Sequence, residues 1–216
     1  MMNFADSIQV AHSDSEREKI YEFRYRIYIE EMGKPYAHAD HERKILTDEL
    51  DDGAMLLYAT RNREVIGTVR INWGISHYAL DFFRQMFDLE KFSAFPSPTL
   101  SFCSRLMVER SARSSSLAAR LSTAAFVAGR ERGIQFNFIH CVPQLAPLFQ
   151  RMGFRHYKDS FHDPEVGTQI PLVLLLDDLD HLKRVRSPFV PYAEQTRYLD
   201  PVTWFQSSFD SQPMAQ

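Results

Sequence analysis

The 216-residue chain predicts a single α/β (α+β) domain, a mixed β-sheet with helices on both faces. Three observations predict it. Strand-like and helix-like stretches alternate through the middle of the chain, and hairpin signals flank them on both sides. With 44% hydrophobic residues, the chain can bury a real core without disulfide staples.

The elements follow in order. Ser7 to His12 alternates as a short strand. Ser13 or Asp14 offers an N-cap, and Ile20, Phe23, Ile27 and Tyr28 recur at helical spacing, so residues 14 to 32 read as an amphipathic helix ended by Gly33-Lys34-Pro35. Residues 36 to 53 are polar and read as a loop. Ala54 to Arg61 and Glu64 to Trp73 form a hairpin around Asn62-Arg63. Leu80 to Phe92 has helical period and is rich in Phe. Thr99 to Val108 is a strand. Leu117, Leu121, Ala124, Ala125 and Ala128 mark a helix that Gly133 stops. Phe136 to Cys141 is a strand, Pro143 to Met152 a short helix, and Phe154 to Phe161 and Ile170 to Leu176 are strands. Residues 1–182 form the domain; residues 183–216, with their scattered prolines and polar end, read as an extension rather than a second domain.

Composition excludes several functions. Lys and Arg number 25 against 28 Asp and Glu, a net −3, which argues against a nucleic-acid partner bound by bulk positive charge. Two cysteines, Cys103 and Cys141, exclude a disulfide framework and a four-Cys zinc site, and no metal is expected. The longest apolar run, Leu172 to Leu176, is far short of a membrane span. The start lacks a basic region followed by an apolar run, so a cytoplasmic setting is expected. The 17 Phe and 9 Tyr have two readings, an aromatic core or a large apolar pocket.

The stretch from Leu100 to Ala118 carries the most chemistry. A strand, a loop of small residues and a helix start make an anion site, because free backbone N–H groups and the helix dipole both favour a phosphate. Arg110, Arg113 and Arg120 add charge, and Ser114, Ser115, Ser116 and Ala118 permit close backbone approach.

These residues carry a resemblance. Arg113-Ser114-Ser115-Ser116-Leu117-Ala118 resembles the pyrophosphate loop of the GNAT acyltransferase superfamily, with Ser116 where that family usually has Gly. Ala146 to Phe154 resembles its Ala-x-x-x-Tyr-x-x-x-Gly-Phe segment, with Phe149 in place of the Tyr that protonates the leaving thiolate. Phe23 to Gly33, the acidic run Asp48 to Asp52, Val65 to Ile71 and Ser104-Arg105 resemble a branch holding the autoinducer synthases and the FeeM-type N-acyl amino acid synthases. Homoserine lactone synthases carry a Glu at the position of Phe102, so the amino acid synthase side fits better. The resemblance spans roughly residues 8 to 180. It implies a mostly antiparallel central sheet with splayed central strands. It also implies a long-chain acyl group delivered by acyl carrier protein to the amine of an amino acid. Acyl-phosphopantetheine or acyl-CoA is then the donor, with no tightly bound cofactor. Transfer to S-adenosylmethionine, ordinary acetyl-CoA chemistry and a non-catalytic acyl-binding module are the alternatives.

Acyl transfer needs a neutral, positioned amine, donors for the oxyanion and a proton for the thiolate. Backbone N–H groups from Leu106 to Val108 are the expected oxyanion donors. Candidate bases are His140, Glu30, Glu31 and Asp51. His140 is either catalytic or a strand-end histidine satisfied by a backbone carbonyl. Cys103 and Cys141 read as buried thiols or as nucleophiles, and Tyr58 and Tyr157 are possible substitutes for the missing acid. Arg24, Arg70 and Arg105 fall in apolar elements and need partners, for which Asp48, Asp51 and Asp52 are at hand; Arg70 and Arg105 also suit a substrate carboxylate. Phe82, Phe83 and Phe102 are candidates to line an acyl tunnel. Arg110, Arg113, Arg120, Arg130 and Arg132 form a possible docking patch for an acidic carrier protein.

Overall fold

The computed structural model describes residues 7–113, 116–164, 166–193 and 200–209. Its centre is a twisted sheet ordered β1-β4-β5-β6-β7-β10-β8, with β9 also on β10. The strands are β1 (Ile8–Val10), β4 (Met55–Arg61), β5 (Glu64–Trp73), β6 (Leu100–Val108), β7 (Phe136–Cys141), β8 (Arg155–His156), β9 (Phe161–Asp163) and β10 (Gly167–Leu175); β2 (Ala39–Asp40) and β3 (Ile45–Leu46) make a separate small hairpin. Every pairing is antiparallel except β6 with β7.

Helices cover both faces, and strand alternation decides which residues meet them. Leu57, Ala59, Val69, Ile139, Leu172 and Leu174 face a core completed by α3 (Leu117–Glu131), α4 (Ala146–Met152) and α5 (Leu179–Arg184). On the opposite face Leu56 and Tyr58 meet α1 (Asp14–Tyr25). Phe102, Phe136, Phe138, Val173 and Leu175 meet α2 (His77–Arg84) and α6 (Asp200–Phe209).

Local chemistry explains the boundaries. Ser13 caps α1 in a capping box with Glu16. The β4–β5 hairpin turns on Asn62 and Arg63, both at positive φ, the geometry that follows strand twist. Gly153 ends α4 at φ 113°, and a side chain there would meet Leu182 Cδ2 at 2.5 Å.

Four expectations change. The first helix is regular only to Tyr25 and continues as a π-helical turn over Arg26–Glu31. The polar stretch 36–53 holds the β2–β3 hairpin and a short 3-10 turn, Glu49–Asp51. The expected helix from Leu80 to Phe92 is instead α2, then a 3-10 turn at Leu89–Phe92 entered through Asp88 at φ 48°. This break lets Phe87 and Phe92 both pack on Phe138, at 5.4 and 4.8 Å, which one straight helix would not arrange. The expected strand from Phe154 to Phe161 is two short strands on β10. Between them Tyr157 donates to the Phe87 carbonyl and Lys158 pairs with Asp88, pulling the chain off the sheet.

The aromatic residues chiefly build a core. Phe83, Phe87, Phe92, Phe102, Phe136 and Phe138 are almost wholly buried together, and Phe205 of α6 joins them. Phe189 stacks on Phe126 at 4.7 Å in the other core, so the region after 182 contributes buried side chains to both.

The feature that positions the site is a separation of neighbours. β6 and β7 pair only from Leu100 to Phe102 against Phe136 to Phe138. Beyond that they diverge. β6 also bulges where its register against β5 slips between Thr68 and Arg70, with Arg105 at φ 56°.

Candidate functional site

A cavity of about 370 Å³ occupies the gap between the diverging strands. One wall is Ser104 to Val108 of β6; the other is Ile139 to Val142. Its inner end is apolar, lined by Ala125, Phe126, Gly129, Leu174, Leu176 and Phe189. A second cavity opens on the α2 side, lined by Asp48, Glu49, Arg70, Tyr78, Phe82 and Asp163 among others. The two share Tyr28, Tyr36, Ser104, Arg105, His140 and Val166. An apolar arm and a charged arm therefore meet at Ser104, Arg105 and His140.

Glu109 N–H donates to the Ile66 carbonyl on β5 at 2.8 Å, so strand alternation turns the N–H of Val108 to the opposite side, away from β5. Leu106 and Val108 both line the cavity between the diverging strands.

His140 sits where the arms join. Its Nδ1 lies 3.1 Å from Gln169 Oε1, and its ring packs near Phe87 and Phe161. The partner is thus a side chain, where a backbone carbonyl was the expected alternative. Burial depresses its pKa, with Arg105 and Arg70 acting the same way against the pull of Gln169 and Asp163, so the ring is neutral at pH 7.

The charged arm rests on an ion-pair cluster. Arg24 binds Asp51 at 2.8 Å, both essentially buried. Arg70 reaches Asp48 and, at 3.2 Å, Asp51; its Nε donates to Ser104 Oγ at 3.0 Å. Arg105 binds Asp48 at 2.7 Å and lies over the rings of Tyr28 and Tyr36, at 5.3 and 4.9 Å. Burial opposes charge on Asp48, but Arg70 and Arg105 outweigh it and bring the carboxyl down to about 2. Arg24 thus pins α1 to the 3-10 turn, while Arg70 and Arg105 also border the charged cavity.

Other expected site residues lie elsewhere. Glu30 is 44% exposed, pairs with Lys44 at 2.9 Å and lines neither cavity, because the π-helical turn carries it to the surface. Asp51 is committed to Arg24. Phe102 is fully buried between Phe83 and Phe138 and lines neither cavity. Phe83 is buried with an edge on the charged arm, and Phe82 is half exposed there, so neither lies on the apolar arm. Tyr58 donates to Glu16 and Tyr157 to Phe87, both away from the cleft. Burial raises the Cys103 thiol to about 12 and the Cys141 thiol to about 11, leaving both protonated at neutral pH.

Of the loop, Ser114 and Ser115 lie outside the described residues. Ser116 precedes α3 without a side-chain cap, and Ala118 is in the first turn. Arg113 borders the cavity between the diverging strands, where it pairs with Glu31 and donates from Nε to the Val108 carbonyl at 3.0 Å. Arg110 lies in a shallow groove with Arg26, Glu31 and Glu109. Arg130 pairs with Asp177 and Arg132 covers Trp73, so these two are engaged within the fold. Among the described residues no cluster of three or more His, Cys, Asp or Glu is arranged for a metal, and no helix is long and apolar enough to cross a membrane.

Sequence reasoning passed over Gln169, Tyr28 and Tyr36. The one trace of Gln169 is a polar residue at an inward position of an apolar strand.

A model of the FeeM N-acyl amino acid synthase family matches residues 19–177. The chain belongs to that family. No curated protein matches. Among solved structures it is similar to BjaI, a CoA-dependent acyl-homoserine lactone synthase, at 18% identity and TM-score 0.67 over 94% of this chain and 100% of that one. It is also similar to FeeM, an N-acyl amino acid synthase from uncultured soil microbes, at 14% identity and TM-score 0.63 over 88% and 99%. The homoserine lactone synthase LasI aligns at 12% identity and TM-score 0.60 over 80% and 91%. These likenesses share the fold described above, and family membership makes this chain an N-acyltransferase.

Proposed function

We propose that the chain moves a long acyl group from a carrier-protein thioester to the amine of an amino acid. The supporting observation is the meeting of an apolar arm with a charged arm at one backbone opening. The acyl chain takes the apolar arm, where each buried methylene is worth about 0.8 kcal/mol. The amino acid takes the charged arm, its carboxylate toward Arg70 and Arg105.

The chemistry then assigns itself. The thioester carbon lies at the strand opening with its oxygen toward the N–H groups of Leu106 and Val108, which stabilise the developing oxyanion. The neutral amine attacks, and the new C–N bond forms as its proton passes to neutral His140. The C–S bond breaks, and the resulting imidazolium is the nearest proton source for the departing thiolate, since Phe149 has no hydroxyl. Arg113 and the start of α3 receive the phosphate of the pantetheine arm. Acyl-CoA presents the same arm and is the second donor to consider, since BjaI is a CoA-dependent synthase.

The test combines purified protein, carrier proteins loaded with chains of several lengths, the matching acyl-CoAs and, as acceptors in separate reactions, the twenty common amino acids or S-adenosylmethionine, with products read by mass spectrometry. A long-chain N-acyl amino acid formed from carrier protein supports the proposal. Product from CoA alone, product only with S-adenosylmethionine, or no thioester consumption overturns it.

A further inference from the structure

Gln169 is 3% exposed and lies on β10 beside the strand that carries His140. Its amide orientation is set by its surroundings. Nε2 faces the carbonyl oxygens of Val166, Gly167 and Thr168 at 3.4, 3.4 and 3.1 Å. Carbonyls only accept, so the amide nitrogen belongs there and the amide oxygen is left facing His140 Nδ1 at 3.1 Å. An amide oxygen also only accepts. The proton of a neutral His140 is therefore on Nδ1, and the lone pair is on Nε2.

The receptor for the Gln169 amide is built by the β9–β10 turn. Val166 N–H donates to Asp163 Oδ1 at 3.0 Å, and Gly167 at φ 81° turns the chain so that three successive carbonyls converge. The His140 ring borders both cavities, and its Nε2 makes no hydrogen bond among the described residues.

We propose that Gln169 is a positioning residue for acyl transfer: it holds His140 in the Nδ1–H tautomer and presents Nε2 to the acceptor amine where the two arms meet. The proposal rests on the reading of His140 as the base. The charged groups around the imidazole are Arg70 on β5, Arg105 on β6 and Asp163 on β9. A neutral amide contact adds orientation without fixing a charge, which suits a group that must accept a proton and release it in one turnover.

The test uses the full chain with ¹⁵N-labelled histidines. Long-range proton–nitrogen spectra distinguish the two tautomers, and His140→Ala assigns its signal among the eight histidines. Wild type is expected to show Nδ1–H. Gln169→Met should give mixed tautomers and at least a ten-fold fall in kcat, with donor KM unchanged. Gln169→Glu should keep Nδ1–H but raise the His140 pKa, moving the acidic limb of kcat up by one pH unit or more. Thermal unfolding confirms that each variant folds. An Nε2–H tautomer in wild type overturns the proposal without any variant, as do folded Gln169 variants that leave tautomer and acidic limb unmoved. Undiminished turnover in His140→Ala overturns the base itself, and the tautomer spectrum keeps that failure separate from a failure of the Gln169 contact.

Discussion

Asp48→Asn removes one negative charge and little else. The amide oxygen can still accept from Leu50 N–H, as Asp48 Oδ1 does at 3.0 Å, so the cap of the 3-10 turn survives. What disappears is the anion shared by Arg70 and Arg105. The carboxyl stands at about 2 instead of its ordinary 3.8, and at about 1.4 kcal/mol per pKa unit the ionised form contributes on the order of 2 kcal/mol to folding. With its side chain 20% exposed, Asp48 is only partly screened by solvent. Arg70 keeps Asp51 at 3.2 Å, so the loss should stay near the lower end of the roughly 3–5 kcal/mol for breaking a buried pair. The folded pKa is depressed, so the contribution is complete above the unfolded value and is lost as pH falls through about 2. About half of it remains at pH 3. Urea unfolding at 25 °C at pH 6 and pH 3 measures both quantities. The gap between wild type and variant should be about 2–3 kcal/mol at pH 6 and clearly smaller at pH 3. A gap under about 0.5 kcal/mol at pH 6, or one unchanged at pH 3, would show that Asp48 is not the anion holding this cluster together.

Three further outcomes are expected. His140→Ala should lower kcat by roughly 10²–10⁴-fold, and because burial depresses the wild-type pKa, kcat at saturating acceptor should hold as pH falls to 6.5 and decline only below it; a limb above 6.5 contradicts this. Ala125→Phe, on α3 beside the apolar arm, should shift donor preference to shorter chains in a competition between acyl lengths, with acceptor KM unchanged. Cys103 and Cys141 should resist iodoacetamide at pH 7.5 in the native protein and react once it is unfolded in urea, with labelling followed by mass spectrometry.

The legible parts of the fold were those with local causes. Ser13 with Glu16, Asn62-Arg63, Gly133 and Gly153 mark boundaries through their own backbone and capping chemistry. The break at Asp88 was not legible, because Phe87 and Phe92 fit helical spacing equally well; the need to reach Phe138 on a distant strand decides it. The site shows the same division. His140, Arg70, Arg105, Arg113, Leu106 and Val108 were marked by residue type and by motif. Glu30 looked equally suitable as a base, and only the π-helical turn, which sends it to Lys44 on the surface, removes it.

By itself the sequence determined the order of the main elements, the apolar character of the central strands, the small-residue loop before α3 and the family. Each of these depends on chemistry within a few neighbouring residues or on short motifs. Tertiary structure alone decided where β6 and β7 part company, how Arg105 turns between Tyr28, Tyr36 and Asp48, and that Gln169 meets His140. Those outcomes depend on register between strands far apart in the chain, and on the requirement that buried guanidinium and amide groups find partners wherever packing has put them.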